Sequence, residues 1–157
     1  KDGKSVSAPK IINEESEINN KDNATGYIYI LKSLSDNPDI SALDNLYKIG
    51  FTSNTVAERT KKAKSDPTYL MADVELIAEF KTFNVNPQKL ENLIHTFFNQ
   101  VKLDIKVKDD NGNIKSPKEW YIVPLDIIKQ VIELIISGEI INYRYDDLNQ
   151  RLVMTDQ

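Results

Sequence analysis

Two short segments of β-forming residues, separated by a polar stretch, constrain the fold of this chain most. Residues 27–31 read Tyr-Ile-Tyr-Ile-Leu and residues 46–51 read Leu-Tyr-Lys-Ile-Gly-Phe. Runs of β-branched and aromatic residues are typical of strands. The stretch 33–45 between them is rich in Ser, Asp and Asn and indicates a loop. A connection of this length allows the two strands to pair as an antiparallel hairpin.

The next part of the chain predicts a helix and a third strand. Thr55 and Glu58 fit a capping box, in which the Glu58 side chain reaches back to the Thr55 amide. The helix that follows is expected to end just before Pro67, because a residue preceding proline disfavours helical geometry. Alternation of apolar and polar residues over 74–83 then predicts a half-buried strand.

Two helices and a hairpin complete the predicted fold. Pro87 opens a helix whose apolar residues recur at core-facing spacing, and a second, mostly buried helix lies between Pro124 and Gly138. Between them, residues 109–113 have the composition of a hairpin turn, and residues 119–123 form a short strand. These elements predict an α+β fold: a small, mainly antiparallel, three-stranded central sheet flanked by helices, with an extra hairpin.

The chain divides into three parts by composition. Residues 1–24 are polar, lack a sustained apolar period and are expected to form a flexible linker. Residues 25–138 are expected to form the folded domain, and residues 139–157 a C-terminal extension that either adds an edge strand or packs loosely. The chain begins at Lys1 rather than Met, so we expect a fragment of a longer parent protein.

Composition excludes several classes of protein. The chain has no cysteine, which rules out disulfide scaffolds, thiolate metal sites and cysteine nucleophiles. No apolar run approaches the roughly 20 residues that a membrane helix needs. We therefore expect a cytoplasmic protein without a membrane partner. The net charge of −4 argues against bulk attraction of nucleic acid, so any such binding must be local. The densest basic cluster, Arg59 to Lys64, is either a solvated helix face or a DNA-binding surface formed by Lys61, Lys62 and Lys64.

The two predicted strands carry polar groups that can face one another. Because strand side chains alternate, Tyr27 and Tyr29 share one face of the first strand, and Lys48 shares a face of the second with Gly50. Tyr47 lies on the opposite face of the second strand. A glycine within a strand allows another group to approach the backbone closely. This arrangement places a phenol and an ammonium group side by side if the two faces coincide.

Three charged or titratable residues follow on the predicted helices. Arg59 is suited to phosphate because its planar guanidinium donates two parallel hydrogen bonds. Glu91 supplies a hard oxygen ligand of the kind that Mg²⁺ prefers. His95 lies one helical turn after Glu91 and has the ordinary pKa of a general acid or base. Each residue alone is more often a packing or surface group, so composition and spacing indicate only a small α+β domain with a candidate phosphate site.

The order of four motifs resembles that of the GIY-YIG nuclease superfamily, in particular a phage and bacterial branch. The motifs are the two strand segments, the helix segment Leu-Glu-Asn-Leu-Ile-His at 90–95, and the later Glu-Trp-Tyr at 119–121. The resemblance covers residues 26–136 and implies metal-dependent hydrolysis of DNA phosphodiester bonds. It implies that Tyr29 is the tyrosine of the first motif, that Arg59 stabilises the pentavalent phosphate, and that Glu91 holds a single Mg²⁺ or Mn²⁺ ion.

The chain also departs from that family pattern. The first position of the first motif is Tyr27, with the glycine one residue earlier, and Lys48 stands where a second tyrosine is expected while Tyr47 is shifted to the other face. The general base therefore stays open among Lys48, His95 and Tyr29. Tyr27, Tyr47 and Asn99 are additional candidates, the last for the asparagine that the family carries late in the domain.

Two functional hypotheses remain open from the sequence. The first is a metal-dependent endonuclease domain, and the second is a catalytically inactive module that binds DNA or another protein. Either would obtain its specificity from further domains of a longer parent protein. The excursion at residues 101–118 is either a hairpin that contacts substrate or a surface insertion.

Overall fold

A four-stranded antiparallel sheet forms the centre of the molecule. The computed structural model describes residues 26–155, and the linker predicted at residues 1–24 lies outside the described residues. The strand order in the sheet is β3-β1-β2-β6. These strands are β1 (Gly26–Ser33), β2 (Leu46–Thr52), β3 (Val74–Thr82) and β6 (Trp120–Ile122). The α+β class and the mainly antiparallel sheet are confirmed, but the sheet has four strands where three were predicted. The short segment after the hairpin pairs with β2, with Tyr47 opposite Tyr121, and so becomes a fourth strand.

Within residues 26–155, four α-helices and two small hairpins surround the sheet. The hairpin that the turn at residues 109–113 predicted is present, and the tail forms a second hairpin of its own rather than an edge strand of the central sheet. The helices are α1 (Pro38–Ser41), α2 (Val56–Thr60), α3 (Pro87–Phe97) and α4 (Leu125–Ser137). The hairpin strands are β4 (Val107–Lys108), β5 (Ile114–Lys115), β7 (Tyr143–Asp146) and β8 (Arg151–Met154).

Helix α2 is shorter than the sequence predicts. The Thr55 side chain does cap it by accepting a hydrogen bond from the Glu58 amide at 3.1 Å. The Glu58 carboxylate, however, pairs with Lys61 instead of returning to the Thr55 amide, which donates to the Asn54 side chain at 2.7 Å. The backbone leaves helical geometry at Lys62, so most of the basic cluster lies on a turn and a short 3₁₀ helix at Ala63–Ser65.

The two faces of the sheet bury different clusters. One face packs against α3 and α4 and forms the main hydrophobic core, which includes Ile28, Ile30 and Ile49. The other face carries Tyr29 and Leu31, which pack with Val56, Ala63 and Tyr69 from the segment after β2. The second face therefore holds the polar groups that the sequence places on alternate positions of β1 and β2.

The C-terminal hairpin β7–β8 closes one end of the main core. The rings of Tyr145 and Phe98 meet edge to face with their centroids 5.5 Å apart. No helix within residues 26–155 is both long enough and apolar enough to cross a membrane.

Candidate active site

Tyr29 lies against a glycine on the neighbouring strand. The pairing of β1 with β2 sets Tyr29 opposite Gly50 and Leu31 opposite Lys48, so all four share one face of the sheet. A Cβ atom at position 50 would lie 2.5 Å from both Cζ and the hydroxyl oxygen of Tyr29. Glycine is thus required for the fully buried tyrosine ring to cross the strand.

We expect Gly50→Ala to displace Tyr29 and to lower the free energy of unfolding by about 1–3 kcal/mol, because the added methyl group overpacks this site. Urea denaturation measures the change. In a Tyr29→Ala background the same substitution should have a much smaller effect, because the clashing ring is absent. Equal losses in the two backgrounds would show that the glycine is not required by Tyr29.

Lys48 is fully buried and forms an ion pair across the sheet. Its Nζ donates to Oε1 of Glu119 at 2.6 Å, and it lies 6.0 Å and 5.5 Å from the ring centroids of Tyr29 and Tyr69. A buried ammonium group is stable only when it is paired, so Glu119 compensates this charge. Lys48 therefore does not itself reach solvent, although its partner does.

Glu119 has an unusual backbone. Its φ angle of 74° lies in the left-handed region, which is uncommon for a residue with a long side chain. Its carbonyl oxygen accepts a hydrogen bond from the Ile49 amide at 3.1 Å, which ties this turn to β2. Strained backbone of this kind persists only where its surroundings hold it, and it is often found at functional sites.

The carboxyl groups of Glu91 and Glu119 interact directly. A hydrogen bond with the Glu119 carboxyl, together with burial, raises the pKa of Glu91 above its usual value. Burial opposes ionisation of Glu119, but the charge and hydrogen bond of Lys48 outweigh it, so the pKa of Glu119 is lowered. Two adjacent carboxylates of this kind favour either a shared proton or a bound cation.

His95 lies beside this carboxylate pair. Its Nε2 is 4.0 Å from Oε2 of Glu119, and its ring meets that of Tyr121 edge to face. Burial lowers the pKa of His95, and Glu119 only partly opposes the effect. The imidazole is therefore mainly neutral near pH 7. His95 lines a small cavity together with Glu91 and Glu119, and it is not among the residues that line the larger cavity described next.

Arg59 and two tyrosines form the opposite side of the site. The hydroxyl groups of Tyr29 and Tyr69 are 3.2 Å apart, and the Arg59 guanidinium carbon is 5.7 Å from the Tyr69 ring centroid. Burial disfavours the charge on Arg59, but Tyr69 and Tyr29 outweigh this and raise its pKa. Burial also strongly raises the pKa of Tyr69, which keeps that hydroxyl protonated. Asp66 caps the 3₁₀ helix Pro67–Tyr69 and so fixes the position of Tyr69.

One cavity of about 380 Å³, which we call the large cavity to distinguish it from the small one beside His95, brings these groups together. It is open to solvent and is lined by one guanidinium, one phenol, two carboxylates and a lysine-bearing segment. The lining residues are Tyr29, Phe51, Arg59, Pro67, Thr68, Glu91 and Lys115 to Glu119. Among the predicted residues, the structure thus unites Tyr29, Arg59 and Glu91, with Lys48 directly behind Glu119.

Two residues of this site were not among the predicted site residues. Glu119 belongs to the Glu-Trp-Tyr motif at 119–121, which was a signal for it, but no role was assigned to it. Tyr69 carries no motif, and its place follows only from the packing of the segment after α2.

The acidic groups fit a hard cation with few protein ligands. Within residues 26–155 no group of three or more His, Cys, Asp or Glu side chains could hold a metal ion. Glu91 and Glu119 supply two carboxylates at one wall of the cavity. Mg²⁺ is commonly bound by one or two carboxylates, with water and substrate phosphates completing its coordination.

The comparisons with known proteins identify the family. The model of the T5orf172 domain matches residues 26–136, which include every residue that lines the large cavity. The chain belongs to the T5orf172 domain family. T5orf172 domains are associated with nuclease-like function. Assignment to the GIY-YIG superfamily is therefore wrong, since the matching model is that of a different family and no GIY-YIG model matches. The resemblance depended on four short motifs, and the second of them already departed from its pattern at Lys48.

One curated relative of this T5orf172 domain is an uncharacterized protein, YeeC, of Bacillus subtilis strain 168. It is 42% identical over 127 residues, which is 79% of this chain and 33% of the relative. The chain thus spans about a third of the length of the relative that it matches. No solved structure matches the chain significantly.

The remaining predicted site residues lie outside the large cavity. Tyr27 packs beside the Tyr29 cluster, Tyr47 packs against the main core on the opposite face, and Asn99 is exposed after α3. In the basic cluster, Lys61 pairs with Glu58, and Lys64 lies 3.6 Å from Asp73. Lys62 is exposed. These lysines thus lie next to α2 without lining the cavity.

Proposed function

We propose that this domain hydrolyses DNA phosphodiester bonds in the large cavity, with a divalent cation held by Glu91 and Glu119. The observation that carries the proposal is the convergence of Arg59, Tyr29 and both carboxylates on one open cavity, although they come from separate elements. The nuclease-like association of the family supports it. A cavity with a fixed cation on one side and paired carboxylates on the other is suited to a phosphate diester.

Glu91 and Glu119 would hold Mg²⁺ or Mn²⁺. When bound, the ion polarises a phosphoryl oxygen and stabilises the leaving oxygen. Lys48 keeps the Glu119 carboxylate ionised and fixes its orientation through the 2.6 Å contact. In this proposal Lys48 is a positioning residue rather than a general base, because its ammonium group is buried and paired.

Arg59 binds the non-bridging oxygens of the scissile phosphate. The raised pKa of Arg59 keeps its guanidinium charged throughout the physiological range. The planar fork donates two parallel hydrogen bonds, which become stronger as negative charge accumulates on the phosphoryl oxygens.

Tyr29 orients the attacking water. Tyr29 is among the residues that line the cavity, and its hydroxyl is hydrogen-bonded to that of Tyr69, so a water between Tyr29 and the phosphate would meet a fixed partner. His95 lies 4.0 Å from Glu119 and is a neighbour of the carboxylate pair rather than a part of the large cavity.

A non-catalytic DNA-binding or protein-binding module is the second candidate. It is favoured by the absence, within residues 26–155, of a third acidic or imidazole ligand for a metal ion. It predicts binding to a partner with no metal-dependent cleavage.

The test is cleavage of supercoiled plasmid and branched DNA in Mg²⁺ or Mn²⁺, with EDTA as the metal-free control. We expect nicking by the wild-type chain and a loss of about 100-fold or more in Glu91→Gln, as for removal of one preorganised charge-stabilising group. Glu133→Gln is the matched control, because Glu133 is exposed on α4 and does not line the cavity. No nicking by the wild type, or equal nicking by Glu91→Gln, would refute the proposal.

A further inference from the structure

The excursion at residues 101–118 carries five lysines, and two of them line the large cavity. We define this surface, the lysine track, by its five members: Lys102, Lys106, Lys108, Lys115 and Lys118. We propose that the lysine track, and not the basic cluster next to α2, binds the backbone of the duplex DNA that extends from the cavity. This inference depends on the proposed function for its substrate class, and it names the surface that holds that substrate.

The first half of the excursion exposes its lysines by strand-like alternation. Leu103, Ile105 and Val107 are partly buried and pack against the cluster that contains Trp120. The residues between them therefore point outward, and Lys102, Lys106 and Lys108 are exposed. Apolar anchors on one side fix the track to the domain, so that its charges do not move freely.

One end of the lysine track lies beside β6 and the other lines the large cavity. Lys102 is bridged to Tyr121, and the Leu103 amide donates to the Trp120 carbonyl at 2.8 Å, which places the start of the track beside β6. At the other end, Lys115 and Lys118 line the large cavity together with Glu119. A polyanion held in the cavity would therefore continue along these lysines.

The lysine track and the basic cluster next to α2 differ in how many of their lysines pair with acidic side chains. No lysine of the track forms an ion pair with any residue in the described range 26–155, whereas two lysines near α2 pair with Glu58 and Asp73. The excursion also contains three aspartates, but Asp109 is occupied within the hairpin turn, where it accepts from the amides of Asn111 and Asn113. Free lysines release counterions from DNA when they meet phosphates, and this drives binding.

The occupant to which we commit is duplex DNA. The chain as a whole carries a net charge of −4, so a polyanion is attracted only where positive charge is concentrated. The lysine track is such a region and is continuous with the cavity in which a phosphate diester fits. It presents no aromatic side chain on which unpaired bases could stack, so contacts to a duplex backbone suit it better than binding of a single strand.

The experiment measures binding of a fluorescently labelled 20-base-pair duplex by anisotropy, in EDTA, over a series of salt concentrations. The test variant is Lys102→Ala with Lys115→Ala and Lys118→Ala. The matched control is Lys61→Ala with Lys62→Ala and Lys64→Ala, which removes the same charge. We expect the test variant to weaken binding about 10-fold or more and to reduce the slope of log K against log salt by about 2–3, since each phosphate contact contributes about 0.9. The control should change either quantity much less.

Several outcomes would overturn the inference. These are no duplex binding by the wild type, equal losses in the two triple variants, or tighter binding of a single-stranded RNA of the same length. A variant with glutamine at the three track positions, together with an unchanged melting temperature, excludes misfolding as the cause of a loss. Binding that depends on the lysine track without metal-dependent cleavage would refute the proposed function and leave this inference intact. Metal-dependent cleavage that the track substitutions do not affect would refute this inference and leave the proposed function intact.

Discussion

Replacing Arg59 with alanine is expected to reduce DNA cleavage by about 1000-fold while leaving the fold intact. Arg59 is the only guanidinium that lines the large cavity, and it is exposed on α2 rather than part of a buried cluster. Its removal therefore takes a transition-state charge partner from the phosphate, which is worth about this much in phosphoryl transfer. Single-turnover cleavage of plasmid DNA, combined with a thermal melt, separates the two effects.

Two further variants sharpen this result. Arg59→Lys should recover little activity, because an ammonium group cannot donate two parallel hydrogen bonds to the phosphate. Arg144→Ala, which removes the same charge from an exposed position on β7, should cleave like the wild type. If Arg59→Ala retained more than about a tenth of the wild-type rate, arginine would not be the phosphate partner, since that loss is far below the expected one.

The Glu119→Ala variant is expected to lose about 3 kcal/mol of folding free energy, far more than the Lys48→Met variant. Removing the carboxylate leaves the Lys48 ammonium group buried without a partner, and breaking a buried pair in this way is strongly destabilising. Methionine at position 48 instead offers a flexible apolar chain of similar length between the rings of Tyr29 and Tyr69. Glu119 keeps some access to solvent and can then be hydrated.

Urea denaturation of the two single variants and of the double variant gives the coupling energy. The double variant Lys48→Met with Glu119→Ala should be more stable than Glu119→Ala alone. Additive losses would show that the 2.6 Å contact contributes nothing to the fold. The lowered pKa of Glu119 also determines how the stabilisation by this ion pair changes with pH. The stabilisation is present above the carboxyl pKa of the unfolded chain and is lost as the pH falls through the lower pKa of the folded state.

The sequence predicted the elements more reliably than the site. Local patterns located β1, β2 and α3, because periodicity and helix caps act over a few residues. The role of Glu119 depends on a left-handed backbone and on Lys48, which lies 71 residues away, and no local pattern reports either. The fourth strand was missed as part of the sheet for a similar reason. Three residues cannot show which strand they will pair with.

The functional hypothesis also changed in its particulars. Lys48 was one of three candidates for the general base; the structure shows it buried and paired with Glu119, and the proposed function therefore gives it a positioning role. The basic cluster near α2 was a candidate DNA-binding surface because it is dense in the sequence, and the structure shows two of its lysines beside acidic neighbours. The number of lysines in a short segment does not show how many of them are unpaired, because folding brings acidic partners from other segments. Cytoplasmic localisation and the boundaries of the domain stay predictions.

The order in which the cavity is assembled has a consequence for synthesis. Tyr29 and Arg59 leave the ribosome well before Glu91, and Glu119 comes last, just ahead of the strand that joins β2. A nascent chain can therefore form the β1–β2 hairpin and present Arg59 while the second carboxylate of the cavity is still missing. The cavity is completed only when β6 takes its place. The domain therefore lacks a complete cavity until Glu119, the last of the lining residues, has been synthesised.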